Sequence, residues 1–262
     1  MPQSEIVFAD IQRLTLKRIL TASNFCSVDV DDYIFGGIYM SRALLAMTLS
    51  GLFITMPACS TATATAGRAL PNPSVDAPLA TTKGEQTAVI AGGCFWGIQA
   101  VFEHVKGVIS VSAGYSGGAA DTAHYEMVSE GNTGHAESVR IKYDPSRISY
   151  GQLLKVYFAV AHDPTELNRQ GPDTGSQYRS AIFYGNAEQK SIADAYIAQL
   201  NKAGVFPRAI VTQVVGLKAF YEAEAYHQDY AEHHPDEPYI AINDLPKVAE
   251  LRKQLPELYV QR

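Results

Sequence analysis

The chain has 262 residues, 47% of them hydrophobic, and a formal net charge of −6. That length admits one large domain or two small ones, and the charge balance offers no basic footprint for nucleic acid. Three cysteines, Cys26, Cys59 and Cys94, are too few and too scattered for a disulfide scaffold or a Cys-x-x-Cys zinc site, and no Walker loop, dinucleotide glycine fingerprint or His-Glu-x-x-His helix is present.

The first feature in chain order is a leader. No charged residue stands between Ala43 and Gly67, and Met40-Ser41-Arg42 precedes this stretch. A positive start, an apolar run to Met56 and then small residues make a signal-peptide pattern over 40–59. Met56-Pro57-Ala58-Cys59 resembles a bacterial lipobox, departing from it at Met56 and Pro57, and its cysteine would carry a lipid. A secretory signal normally opens a chain, so residues 1–39 read as an upstream extension, with translation starting at Met40. The alternative is a membrane-spanning helix over Ala43 to Ala66. Residues 60–86, rich in Ala, Thr, Ser and Pro, read as a flexible linker. The expected location is the periplasmic face of the envelope, as a lipid-anchored protein, or the cytoplasm if the leader is no signal.

The domain is expected over 87–262. Ala88-Val89-Ile90-Ala91 reads as a strand, Gly92-Gly93 as a tight turn, and Ile98 to Glu103 as an amphipathic helix. Cys94 falls at this strand–helix junction, where free N–H groups and the helix dipole favour a thiolate. Strands follow at Val108–Tyr115 and Ala136–Tyr143. Ser149-Tyr150-Gly151-Gln152 is a capping box opening a helix to about Ala161. A long polar loop runs from Thr165 to Gln177. Further strands are expected at Tyr178–Tyr184 and Ala209–Val215, and helices at Asn186–Ala203, Tyr221–His233 and Pro246–Leu258. Strands and helices interleave without strict alternation. The expected fold is α/β, a two-layer sandwich with a mixed β-sheet covered on at least one face.

Glu137 is the informative polar residue. By alternation it shares a strand face with Val139, Ile141 and Tyr143. A carboxyl on an apolar face is costly when ionised, so its pKa should rise and suit a general acid. Phe95 and Trp96, the latter the single tryptophan, set flat apolar surface beside Cys94. Tyr125, Tyr178 and Asp173 carry no signal in isolation. His135, His162, His227, His233 and His234 raise the question of a metal, but His233-His234 lies in an acidic stretch that reads as a solvated face.

With these residues in view, the chain resembles the A-type peptide methionine sulfoxide reductases, which act on the S epimer of the sulfoxide. The resemblance spans about Val89 to Pro235 and rests on five stretches. They are Gly93-Cys94-Phe95-Trp96-Gly97, Gly114-Tyr115-Ser116-Gly117-Gly118, Gly131 to Glu137, His162-Asp163-Pro164, and Gly175 to Ser180. The resemblance implies that Cys94 is the nucleophile and Glu137 the acid. It implies that Tyr125 and Tyr178 bind the sulfoxide oxygen, that Asp173 stands near them, and that Phe95 and Trp96 hold the substrate methyl. It further implies thiol-dependent reduction of free and protein-bound methionine sulfoxide through a Cys94 sulfenic acid.

No metal and no cofactor are expected, and the electrons would come from an external thiol such as thioredoxin, glutaredoxin or glutathione. No cysteine follows Cys94, and Pro238 to Pro246 resembles the tail of the single-cysteine branch. The expected protein is a monomer. Two other readings are open. One is a cysteine hydrolase or acyltransferase in which His135 or His162 activates Cys94. The other is a tethered binding module without turnover.

Overall fold

A computed structural model describes residues 70–262. The upstream extension, the leader and the first part of the expected linker lie outside the described residues. The elements in chain order begin with strand β1 (Gln86–Ala91), helix α1 (Phe95–Glu103), β2 (Val108–Ser116), the short helix α2 (Tyr125–Ser129) and β3 (Ala136–Tyr143). Helix α3 (Tyr150–Val156) follows and continues as a π-helical turn, Tyr157–Ala161. The small strands β4 (Arg169–Gln170) and β5 (Asp173–Thr174) precede β6 (Ala181–Tyr184) and helix α4 (Ala187–Ala203). Then come β7 (Gln213–Gly216), β8 (Phe220–Glu222), α5 (Tyr230–His233), a second π-helical turn (Ile240–Asp244) and α6 (Leu245–Gln254).

Six strands form one sheet in the order β7-β6-β1-β3-β2-β8. Every pairing is antiparallel except β6 with β7, so the sheet is mixed, as expected. β1 sits between β3 and β6 and is buried on both faces, which is why it reads as an unbroken apolar run. Ala88 and Ile90 face the main core, which they share with Val139, Ile141 and Tyr143 of β3 and with buried side chains of α1, α3, α4 and α6. Val89 and Ala91 face the other way, into a smaller cluster with Phe183 and Phe220.

Helix α1 is the element the core is built around. Eight of its nine residues are buried, Gln99 and Glu103 among them. Gln99 makes this burial tolerable by bonding in several directions. Its amide donates to Asp229 Oδ1 at 2.8 Å, and the Asp229 backbone N–H donates to its Oε1 at 3.1 Å. These bonds hold the chain after β8 across the start of α1.

Three local expectations differ from the structure. Tyr221 to His233 is not one helix. Tyr221 instead pairs with Tyr115 as part of edge strand β8, a 3₁₀ turn follows at Ala225–His227, and the α-helix is confined to Tyr230–His233. Tyr178 lies in a 3₁₀ turn, Ser176–Tyr178, before β6 rather than on it. Strand β7 starts at Gln213 rather than Ala209, with the Val211 N–H drawn off to the Pro164 carbonyl.

Within the stretch expected to be a linker, residues 70–80 are fastened to the domain. The Tyr196 hydroxyl donates to the Pro71 carbonyl at 2.8 Å, and Asp76 accepts from Gly151 N–H at 2.8 Å and from the Ser149 hydroxyl. Asp76 thereby supplements the Ser149–Gln152 capping box at the start of α3. Among the described residues no helix is long and apolar enough to cross a membrane.

Candidate functional site

Cys94 caps the N-terminus of α1, directly after a turn in which Gly93 has φ +98°. A side chain at 93 would be strained there and would also meet Gln170 at 2.6 Å. The turn points Cys94 into the domain, where it is buried.

Glu137 pairs with Tyr115 across β2 and β3, and alternation turns its side chain onto the core face. Its Oε2 accepts the Phe95 backbone N–H at 3.1 Å. Burial pushes the carboxyl up to about 8, against the lowering effect of that hydrogen bond, with the Asp173 and Asp244 charges adding to the rise. Glu137 is thus a protonated acid near neutral pH.

Cys94 differs from its expected state. The thiol is pushed well above its ordinary value, first by burial, then by the Glu137, Asp244 and Asp173 carboxylates, and only the Trp96 backbone N–H works the other way. The position at a helix start is as read from the sequence. Burial of the sulfur outweighs the helix start, the carboxyls converging on it add to the rise, and sequence spacing shows neither.

The aromatic side chains form one wall. Trp96 stacks on Tyr230, with centroids 3.9 Å apart and planes at 12°. Its indole N–H donates to His227 Nδ1 at 3.2 Å, and Tyr239 meets it edge-on. The His227 ring also lies 5.0 Å from Phe95 and 4.4 Å from Tyr125. Burial lowers His227 to about 4, so it stays neutral as the indole's acceptor. Tyr125 is held through its backbone N–H, which donates to Glu224 Oε1 at 3.0 Å, while Tyr115 donates to the other oxygen of Glu224 at 2.8 Å.

Tyr178 is carried in by its turn. Arg179 donates to the carbonyls of His135 and Gly134, and Ser176 Oγ donates to the Gly131 carbonyl at 2.6 Å. These bonds lash the turn to the chain just before Glu137. Burial raises both Tyr125 and Tyr178, and the Glu137 and Cys94 charges act on each of them, so both phenols remain hydrogen-bond donors. Asp173 accepts from the Tyr239 hydroxyl and is itself raised by burial.

All seven residues read as site residues therefore converge: Cys94, Phe95, Trp96, Tyr125, Glu137, Asp173 and Tyr178. The sequence reading did not assign Tyr230, Tyr239, Glu224 or Asp244 to the site, and it raised His227 only as a metal question. Neither histidine proposed as a base for Cys94 bonds to it. His162 bonds Ser180 Oγ and the Tyr157 carbonyl, and His135 bonds Gly118 N–H and the Ala119 carbonyl. No group of three potential metal ligands occurs among the described residues.

A buried thiol beside a neutral carboxylic acid, two phenols and an aromatic wall defines a thiol-based oxidoreductase site. The profile of the family described as peptide methionine sulfoxide reductase matches residues 86–258. The chain is 59% identical over 179 residues to peptide methionine sulfoxide reductase MsrA 2 of Mesorhizobium japonicum, covering 68% of this chain and 92% of that protein. It is 53% identical over 189 residues to MsrA 2 of Synechocystis, covering 71% of this chain and 88% of that one. Methionine sulfoxide reductase A of Corynebacterium diphtheriae superposes with a TM-score of 0.51 at 36% identity, covering 64% of this chain and 84% of that structure. The chain belongs to the A-type peptide methionine sulfoxide reductase family, and its activity is the reduction of methionine sulfoxide in the repair of oxidised proteins.

Proposed function

We propose that Cys94 and Glu137 carry out this reduction on the S epimer, free or in proteins, through a sulfenic acid on Cys94. The observation that carries the reading is the buried Glu137 carboxyl, raised to about 8 and bonded to the residue after the thiol. Glu137 donates its proton to the sulfoxide oxygen, to which Tyr125 and Tyr178 also donate. The Cys94 thiol attacks the electrophilic sulfur and its proton passes to the Glu137 carboxylate, methionine leaves, and the oxygen remains on Cys94 as S–OH. Phe95 and Trp96 receive the methyl group, and a flat apolar wall discriminates against an oxygen in that place. Cys94→Ser should abolish turnover of methionine S-sulfoxide, since a hydroxyl without a base is a poor nucleophile. Residual activity above about one per cent would refute the assignment.

The same proposal covers recycling and location. With no cysteine among residues 95–262, the sulfenic acid is reduced by an external thiol of the thioredoxin, glutaredoxin or glutathione kind, and no bound cofactor takes part. One chain supplies every side chain named at the site, which supports a working monomer. The leader pattern over 40–59 supports export and lipid attachment at Cys59. Labelling with palmitate tests this; an unlabelled product that retains residues 1–39 would count against it.

A further inference from the structure

The second half of the cycle needs a base as well as an acid, and the tail of the domain supplies a candidate that the first half does not use. Asp244 closes the second π-helical turn and its side chain is fully buried. Oδ1 pairs with Lys247 Nζ at 3.0 Å, while Oδ2 has no hydrogen-bond partner among the described residues. The carboxyl lies where a side chain on Gly97 would stand, for a Cβ there would fall 2.1 Å from Oδ1. Gly97 lies in the first turn of the helix that Cys94 caps. The Asp244 carboxyl thus stands beside the first turn of that helix, close enough for its charge to act on the Cys94 sulfur.

We propose that Asp244 accepts the proton of the external thiol that reduces oxidised Cys94, with Lys247 holding its charge. The inference rests on the sulfenic-acid reading above. A thiol R–SH attacks Sγ, so that the R–S–Sγ bond forms and the Sγ–O bond breaks. The thiol proton passes to Asp244. The departing hydroxide takes the proton of Glu137 and leaves as water, and solvent then returns a proton from Asp244 to Glu137. The Cys94 sulfur is reduced and the incoming thiol sulfur oxidised, giving a mixed disulfide that a second thiol opens.

Glu137 cannot fill both roles, because it enters this step carrying the proton the hydroxide needs. Asp173 shares its Oδ2 with the Tyr239 hydroxyl, whereas Asp244 is paired directly with the Lys247 ammonium and keeps a buried Oδ2 without a partner among the described residues. The groups facing Asp244 are Lys247 on α6, Asp173 on β5, Glu137 on β3, Cys94 at α1 and Tyr239 of its own turn. Beyond Lys247 lies His162, buried and held neutral. Lys247 is the one cation among them, and it favours the ionised carboxylate against burial and the neighbouring carboxyls.

The experiment separates the half-reactions. Enzyme is given one equivalent of methionine S-sulfoxide without reductant, methionine release is timed, and the sulfenic acid formed is then mixed with 2-mercaptoethanol across a pH series. In Asp244→Asn the second step should slow relative to the first by about tenfold or more, in line with lost general-base assistance. That loss should fade as pH passes the pKa of the mercaptan, where bulk solvent supplies thiolate. Lys247→Met should move the acid limb of the second step upward by about 1–3 pH units. Equal slowing of both steps in Asp244→Asn, or a recycling rate and pH profile like the parent's, would overturn the proposal. Failure of the parent enzyme to form a sulfenic acid on Cys94 would instead overturn the reading on which it rests.

Discussion

The Phe95 backbone N–H donates to Glu137 Oε2 at 3.1 Å, joining the first residue of α1 to the second residue of β3 across 42 positions of sequence. This bond fixes the acid relative to the nucleophile, because Cys94 is the residue immediately before that N–H. Glutamine in place of Glu137 can still accept the bond, yet it has no proton to give. Glu137→Gln should therefore keep the fold and lose about 10²–10⁴-fold in rate, the usual worth of a general acid. Steady-state turnover of methionine S-sulfoxide measures this, and a near-normal rate would make Glu137 a structural residue only.

The same carboxyl sets a pH dependence of stability. Unfolded, Glu137 ionises near its ordinary 4.5; folded, it holds its proton to about 8. The folded state binds more protons between these values, so stability falls as pH rises from about 4.5 to about 8 and levels off above. Glu137→Gln removes this titration. The variant should gain in melting temperature relative to the parent as pH climbs through that window. Parallel melting curves at pH 5 and pH 8 would contradict it.

Much of this site was legible because strand and helix periodicity report burial. Glu137 stands out once Val139, Ile141 and Tyr143 are seen to share its face, and Ser149–Gln152 announces its own helix. Tyr230 and Tyr239 were not legible. They reach Trp96 only because Gln99 and Asp229 bond the chain after β8 against α1, a contact between residues 130 positions apart. The raised Cys94 thiol is not legible for the same reason: a helix start is local, whereas the burial of the sulfur and the carboxyls of Glu137, Asp244 and Asp173 depend on distant segments.

Tyr125 and Tyr178 offer a graded test of oxygen binding. Each is kept as a neutral phenol by burial, able to donate one hydrogen bond. Tyr178→Phe removes that donor while leaving the ring in its turn, which Arg179 and Ser176 hold independently. Loss of one donor to a developing charge typically costs about 10²–10³-fold. Tyr178→Phe should fall toward that range, and the double variant with Tyr125→Phe should fall further. Rates unaltered in both single variants would remove the phenols from the reaction.

Asp76 lies outside the site and should affect stability alone. It accepts from the Gly151 N–H and the Ser149 hydroxyl at the start of α3. Asp76→Ala returns one helix-start N–H to solvent and detaches part of residues 70–80. A loss of about 0.5–2 kcal/mol is expected, as for other lost caps. Urea unfolding should show it, with the turnover of the folded variant maintained; a fall in turnover instead would tie this segment to the site.

The resting state of Cys94 can be read directly from its alkylation. A sulfur at a helix start is expected to ionise easily, but here burial and the carboxyls of Glu137, Asp244 and Asp173 hold the thiol above its ordinary range. Iodoacetamide should therefore modify Cys94 slowly at pH 7, with the rate still rising at about pH 8.5, where an unperturbed cysteine is half ionised. The adduct must be mapped to the peptide bearing Cys94, since Cys26 and Cys59 are also cysteines of this chain. Glu137→Gln should shift the profile to lower pH, because it removes the nearest charge opposing the thiolate once the acid has ionised above about 8. A plateau reached below pH 7 would show that the helix start prevails, and that the thiolate stands ready before any sulfoxide arrives.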